Sequence, residues 1–473
     1  MGDHHTASFG VVIAQGPQAW AIIQQEQGFG AIALAGVWSP ADQKEPQEPA
    51  VYARVVREED GSAVMPWQRC EMLPDRGWRT VLERIPAGGL YRVETCLQPD
   101  HRMTDITWAL RGDMIHHIGV GDLFVIAGQS NAAGYGRGPH QDAPELGIHL
   151  MRHNGRWDLA SHPFNESTAT VHPANRETAN PGHSPYLAFA KLVKREAGYP
   201  IGLLMTALGG SPLRKWNPDE DGDLYRNMMN IIAAAGGKVR GMLWYQGESD
   251  CAPDAADTYL DRFRSFVLHW RRDLGDAGLP VFTVQLNRHT WAPGTDENDR
   301  SWGKVRDAQR RAAETMDGVY VVPALDCPLS DNIHNSPAGN MTIGERTAHA
   351  ALAVLYGRGT AYLAPTIAEA TYGLVDRDGL RTIALRFNNV VEVLRLIGAP
   401  QERVFAVEDA EGAVEVSRWR ITGRNEIELT LGRETAGLTF VHAAYEANPP
   451  VTRLPLDTAT YLPMLAFYGV AVK

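Results

Sequence analysis

Three side chains in this 473-residue sequence have the types that acyl transfer needs: Ser130, in DLFVIAGQSNAAG at 122–134, and Asp331 and His334, three residues apart in SDNIHNSPAGN. A serine hydroxyl is a poor nucleophile at its own pKa. It needs a base within hydrogen-bond reach, usually histidine, whose other ring nitrogen is held by a carboxylate. Asp331 and His334 on one tight loop supply that pair. The tetrahedral intermediate of acyl transfer also needs donors aimed at its oxyanion. The N–H groups of Ser130 and of Gly209 or Gly210 in LGGSPLRKW, with the side-chain amide of Gln246 in YQGESD, are the candidates. Each signal alone has a plainer reading. A strand-Gly-x-Ser is also an ordinary turn whose serine caps the next helix, and Asp-x-x-His is often a solvated loop. Together they form one rim of compatible chemistry.

That rim requires elements to carry it. The run 123–127 is unbroken and apolar, as in a strand buried on both faces, and it stops at Gly128, where the backbone is free to turn. In parallel α/β sheets ligands bind outside the carboxyl ends of strands, so a hydroxyl there faces a cleft. From Gly121 onward strand and helix patterns alternate. Helices are predicted over 185–197, 224–235, 259–274, 305–316 and 344–356, and strands over 200–207, from 241, from 280 and over 318–322. This is the signature of a doubly wound, three-layer α/β/α domain with a parallel sheet. The loop 135–181 is longer than most connections and is expected to carry function.

The flanks have a different texture. The first hundred residues read as short strands punctuated by Gly, Pro and Asp, predicting an N-terminal β-sandwich over 1–118. Trp20, Trp38, Trp67 and Trp78 there suit a core better than a sugar-binding face. The α/β region is expected over 119–360, and a C-terminal β domain over 361–473.

Composition excludes several classes. The net charge is -11 and no basic block occurs, which argues against nucleic acid or an anionic membrane as partner. No apolar run reaches the roughly 20 residues that span a bilayer. The opening MGDHHTASFG lacks a secretory signal, so a cytoplasmic chain, or a secreted one written without its leader, is expected. The four cysteines, Cys70, Cys96, Cys251 and Cys327, are too scattered for a disulfide framework or a CxxC metal site. Neither a metal nor an organic cofactor is expected, and the sequence leaves the oligomeric state open.

GQSN at 128–131, GGS at 209–211, QGES at 246–249 and D-x-x-H at 331–334 resemble the blocks of the SGNH (GDSL-like) hydrolases, in particular the sialate O-acetylesterase-like carbohydrate esterases. GGLYRVET at 88–95 and the tail from FVHAAYEANPP to MLAFYGV resemble the flanking segments of that family. The resemblance implies Ser130 as nucleophile, His334 as general base and then acid, Asp331 as its orienter, and Gly209 or Gly210 with Gln246 at the oxyanion hole. The Gln246-Gly247-Glu248 form departs from the broader superfamily, whose third block usually offers Asn, and it makes the donor assignment less secure than the triad. Expected substrate contacts are Gln129, Asn131, Glu248 and Trp216, with Trp216 ahead of Trp291 and Trp244 as a stacking surface and Glu248 favoured as a support. The implied activity is removal of O-acetyl groups from a carbohydrate through an acetyl-enzyme. Sialic acid, xylan, xyloglucan and bacterial polysaccharides all fit as acceptors. The alternatives are a carbohydrate-binding protein without turnover on the same fold and a short-chain acyl esterase of other specificity.

Overall fold

The computed structural model describes residues 9–40, 48–100, 102, 106–107, 109–375, 379–397, 404–450 and 454–473. The opening residues 1–8, read above for a leader, lie outside them. Seven strands make the central sheet: β1 (Leu110–Gly128), β2 (Ile148–Met151), β3 (Trp157–Leu159), β4 (Ile201–Met205), β5 (Gly241–Tyr245), β6 (Val281–Val284) and β7 (Val319–Val322). Their order is β3-β2-β4-β1-β5-β6-β7, with only the β2–β3 pair antiparallel. The protein is thus a mixed α/β molecule on a largely parallel sheet, with β-rich regions before and after it.

β1 decides the arrangement. Leu123 to Ala127 have no exposed surface, because β4 flanks the strand on one side and β5 on the other. After β1 the chain builds one half of the sheet and then crosses to the other, so a crevice opens at the carboxyl end of β1. The first half of β1 belongs elsewhere. It pairs with Leu90–Gln98 in an antiparallel sheet that also holds Ala50–Arg57 and Ala63–Arg69. A second sheet of Gly10–Gln15, Phe29–Ser39, Gly77–Pro86 and Glu71–Met72 buries a cluster in common with it, including Val11, Ile32, Trp78, Val55, Tyr91 and Ile118. Trp38 and Trp78 are buried in that core, as expected. Residues 118 and 119, where two regions were expected to meet, lie inside β1.

The helices are the turn α1 (Ser130–Ala133), then α2 (Tyr186–Ala197), α3 (Asp223–Ala234), α4 (Pro253–Asp273), α5 (Asp296–Thr315) and α6 (Pro337–Tyr356). Three begin earlier than their apolar period suggests, for capping reasons. Thr295 accepts from Asn298 N–H ahead of α5, whose first turn carries Asp296, Glu297 and Asp299 against the positive end of the helix dipole. Ser336 accepts from Gly339 N–H at 3.2 Å ahead of Pro337. Pro253 fills a first-turn position of α4, where its missing N–H leaves no bond unmade. The short strands β2 and β3 fall within 135–181, where a loop alone is expected from the sequence.

Beyond α6 the chain forms one sheet of Thr366–Tyr372, Thr382–Asn388, Glu426–Leu431 and Val416–Ile421, and another of Gly412–Val414, Phe405–Asp409, Phe440–Ala443 and Phe467–Ala471. Arg306 of α5 fastens this region to the central sheet. Its fully buried guanidinium donates to Leu286 O (3.0 Å) and Asn287 O (2.8 Å) after β6, and to Ala444 O (3.2 Å), Tyr445 O (3.3 Å), Glu446 O (2.5 Å) and Ala447 O (3.3 Å). Burial pushes its pKa down to about 10, still charged at neutral pH. Arg306→Leu leaves those carbonyls dry and unpaired, at about 1–3 kcal/mol per unsatisfied group. Denaturant unfolding is expected to show a loss of at least about 3 kcal/mol and early release of the C-terminal region.

Candidate active site

Gly128 ends β1 with φ +125°, a conformation that favours glycine, and a Cβ there would lie 2.1 Å from Tyr245 O. The tight passage lets Gln129 N–H donate to Tyr245 O at 2.9 Å and starts α1 at Ser130, which is 7% exposed. Ser130 Oγ lies 3.0 Å from His334 Nε2, and His334 Nδ1 lies 2.8 Å from Asp331 Oδ2. A carboxylate at Nδ1 holds the proton on that nitrogen and leaves Nε2 free to accept from the serine. Asp331 Oδ1 in turn accepts from Ile333 N–H (2.9 Å) and His334 N–H (2.7 Å), which locks the loop that carries both residues. Burial works to raise the Asp331 pKa. The Ile333 N–H and the His334 contacts outweigh it and hold the carboxyl below its ordinary value.

The loop is tied to the serine turn by amides that the sequence reading cast in another role. Asn131 is 2% exposed; its Oδ1 accepts from Asn335 N–H (3.0 Å) and Nδ2 (3.1 Å), and its Nδ2 donates to Glu248 Oε1 (2.7 Å). Gln129 Oε1 accepts from Ser249 N–H at 3.2 Å, facing the QGES loop. Neither side chain fits the substrate contact expected of it, because both are buried and turned inward. Glu248 is likewise a support: Oε1 is on Asn131, and Oε2 is buried without a partner among the described residues. Burial raises its pKa against the opposing Asn131 bond. Asn335 and Asn287, which completes the web by donating to Asn335 Oδ1 at 2.7 Å, were not singled out from sequence; an amide beside His334 gives no signal of its own.

Two further expectations are corrected. Gln246 has no exposed surface, and its Nε2 donates to Asp250 Oδ2 (2.6 Å), Ser211 O (3.2 Å) and Gln129 Oε1 (3.4 Å), so its amide is spent beneath the site and not offered to an oxyanion. Trp216 is fully buried, edge-on to Trp244 at 5.4 Å, with Nε1 donating to Ser211 Oγ, so no sugar can stack on it. Trp244 is core, as expected.

The GGS loop follows β4, fixed by Leu208 N–H donating to Gly128 O at 3.0 Å. Gly209 N–H donates to the Glu177 carboxylate, which also takes the Tyr135 hydroxyl, and the Tyr135 ring lies 4.9 Å from the His334 ring. The long loop therefore does reach the site, through Tyr135 and Glu177, neither of which sequence reading had named. Of the expected backbone donors, Ser130 N–H and Gly210 N–H have no acceptor among the described residues. All four cysteines are free, Cys251 and Cys327 included.

Residues 120–353 match the family described as carbohydrate esterase, sialic acid-specific acetylesterase. That match spans just under half of the chain. A probable carbohydrate esterase of Arabidopsis thaliana is 29% identical over 253 residues, covering 49% of this chain and 90% of that protein. Human sialate O-acetylesterase is 21% identical over 332 residues, covering 59% of this chain and 61% of that protein. The crystal structure of a carbohydrate acetylesterase from Xanthomonas citri superposes with a TM-score of 0.64 at 20% identity, covering 97% of this chain and 99% of the other, which establishes a common fold along nearly the whole length. Among the described residues, no helix is long and apolar enough to cross a membrane.

One cluster between the long loop and α2 has metal-ligand types. Asp142 Oδ2 lies 3.0 Å from His162 Nε2 and 3.1 Å from His183 Nε2, and Lys191 Nζ lies 2.6 Å from Asp142 Oδ1. Ser184 N–H donates to His162 Nδ1 at 3.3 Å, which puts the ring proton on Nε2, where a metal ligand would need a lone pair. Burial lowers the His162 pKa against the opposing Asp142 contact. The cluster is a hydrogen-bond knot that ties the long loop to α2.

Two outcomes follow from these contacts. Asn131→Ala leaves Asn335 and Glu248 without their shared partner and is expected to lower stability by about 1–3 kcal/mol, measured by thermal unfolding. Asp331 has a folded pKa below its unfolded value, so its stabilisation is complete above about pH 4 and is lost as pH falls through the folded pKa. The unfolding midpoints of wild type and Asp331→Asn should therefore differ at neutral pH and converge in acid.

Proposed function

We propose that this chain is a carbohydrate O-acetylesterase in which Ser130 is the nucleophile, His334 the general base and then acid, and Asp331 the residue that orients His334. The observation that carries the reading is the unbroken contact chain from Ser130 Oγ to His334 Nε2 (3.0 Å) and from His334 Nδ1 to Asp331 (2.8 Å) at the carboxyl end of β1. Similarity to the acetylesterase family supplies the bond class. As Oγ attacks the acetyl carbonyl, its proton passes to His334 Nε2, and Asp331 stabilises the imidazolium. The oxyanion is met by Ser130 N–H and Gly210 N–H, with Gly209 N–H joining when Glu177 yields it; removing one such donor typically costs ~3 kcal/mol. His334 then protonates the departing sugar oxygen, leaving acetyl on Ser130. Water, deprotonated by the same ring, hydrolyses that ester and regenerates the serine.

The architecture that goes with this reading is a three-layer α/β/α hydrolase over 119–360 between a β-sandwich and a second β domain. The acceptor is read as a sugar hydroxyl. The test is acetate release from a panel of O-acetylated sugars and polysaccharides. Wild type should release acetate, while Ser130→Ala and His334→Ala should each lose kcat by roughly 10^4–10^6-fold. Silence of the wild type across the panel, with binding retained, would replace the esterase reading by that of a carbohydrate-binding protein.

A further inference from the structure

The loop that follows β6 reaches the same rim as the other strand-end loops. It is fixed at several points: His289 N–H donates to Ala447 O (2.8 Å), Thr290 N–H donates to Asn332 O (2.8 Å), and Ala292 N–H donates to His289 O (3.3 Å). Asn332 Nδ2 also lies 3.1 Å from His289 Nε2. Asn332 is the residue between Asp331 and Ile333, so this loop is bonded directly to the segment that carries His334. At its crest Trp291 is 81% exposed, the most exposed tryptophan among the described residues. An indole held in water on a braced loop gains nothing for the fold, since it buries almost no area. It is also single: no other large apolar side chain of 285–295 is exposed. A stable protein interface needs a patch of several hundred Å², whereas one ring matches one ring-sized ligand.

We infer that Trp291 is the stacking platform for the sugar ring that bears the scissile acetyl group, or for its neighbour in a chain, and that it sets preference for cyclic over acyclic acetate esters. The indole face meets the C–H face of a pyranose and turns the acceptor oxygen toward Ser130 and His334. Stacking of this kind has the directional preference of aromatic contacts without requiring a charged sugar. This inference rests on the acetylesterase reading and deepens it by naming what receives the non-acetyl part of the substrate.

The experiment compares kcat/KM for an O-acetylated methyl glycoside with that for ethyl acetate, in wild type, Trp291→Ala and Trp291→Phe. The glycoside-to-ethyl-acetate ratio is expected to fall about tenfold in Trp291→Ala, mainly through KM, and to stay within about threefold in Trp291→Phe. A ratio unchanged in Trp291→Ala overturns the inference while leaving the esterase intact. A second measurement is independent of turnover: titration of the acetylated glycoside into Ser130→Ala, followed by tryptophan fluorescence. Saturable quenching that disappears in Ser130→Ala/Trp291→Phe supports the platform, and its persistence there overturns it. Absence of activity in wild type, with the quenching retained, sinks the catalytic reading and keeps the sugar site. A concentration-dependent dimer abolished by Trp291→Ala, with no change in either sugar readout, assigns the indole to contact between copies and overturns the proposal.

Discussion

The geometry of the site depends on one close approach, that of Gly128 to the backbone of Tyr245. The end of β1 passes so near the end of β5 that no Cβ fits between them, and the backbone must take a positive φ to turn. This places Ser130 on a short helical turn whose side chain faces the crevice, and it lets Gln129 and Asn131 point back into the protein. Everything else at the site is arranged around that turn. Asn131 grips the Asp331–His334 loop from one side and Glu248 from the other, so that loop is positioned through amides and not by packing alone.

Much of this was legible in the sequence, for reasons that can be named. Ser130, Asp331 and His334 carry chemistry that few other residues supply, and the buried strands β1, β4, β5, β6 and β7 announce themselves as apolar runs ending in loops. The helix starts were harder. The early turns of α5 and α6 are polar or contain Pro337 and Gly339, so the caps at Thr295 and Ser336 mark the beginnings better than the apolar period does.

What misled was the direction of side chains near Ser130. Gln246 and Trp216 follow strand ends, which suggests a place in the cleft, yet both are drawn beneath it by one partner near in the chain and one distant: Asp250 and Gln129 for the amide, Ser211 and Trp244 for the indole. Tyr135 and Glu177 were hidden for the opposite reason. They sit in a long irregular segment with no period to read, and only the folded chain reveals that the Glu177 carboxylate meets Gly209 and that Tyr135 lies over His334.

The length of β1 has a consequence of a different kind. Nineteen residues of one continuous strand serve first as part of an antiparallel sheet and then as the centre of a parallel one. The N-terminal β region is therefore not an appendage joined by a linker, since its hydrogen-bond ladder is extended by the strand that presents the serine. Fraying at Leu90–Gln98 would loosen the root of the strand that leads to Ser130. The shared strand couples the stability of the two regions, so a mutation far out in the first hundred residues has a route to Ser130 without any contact to it.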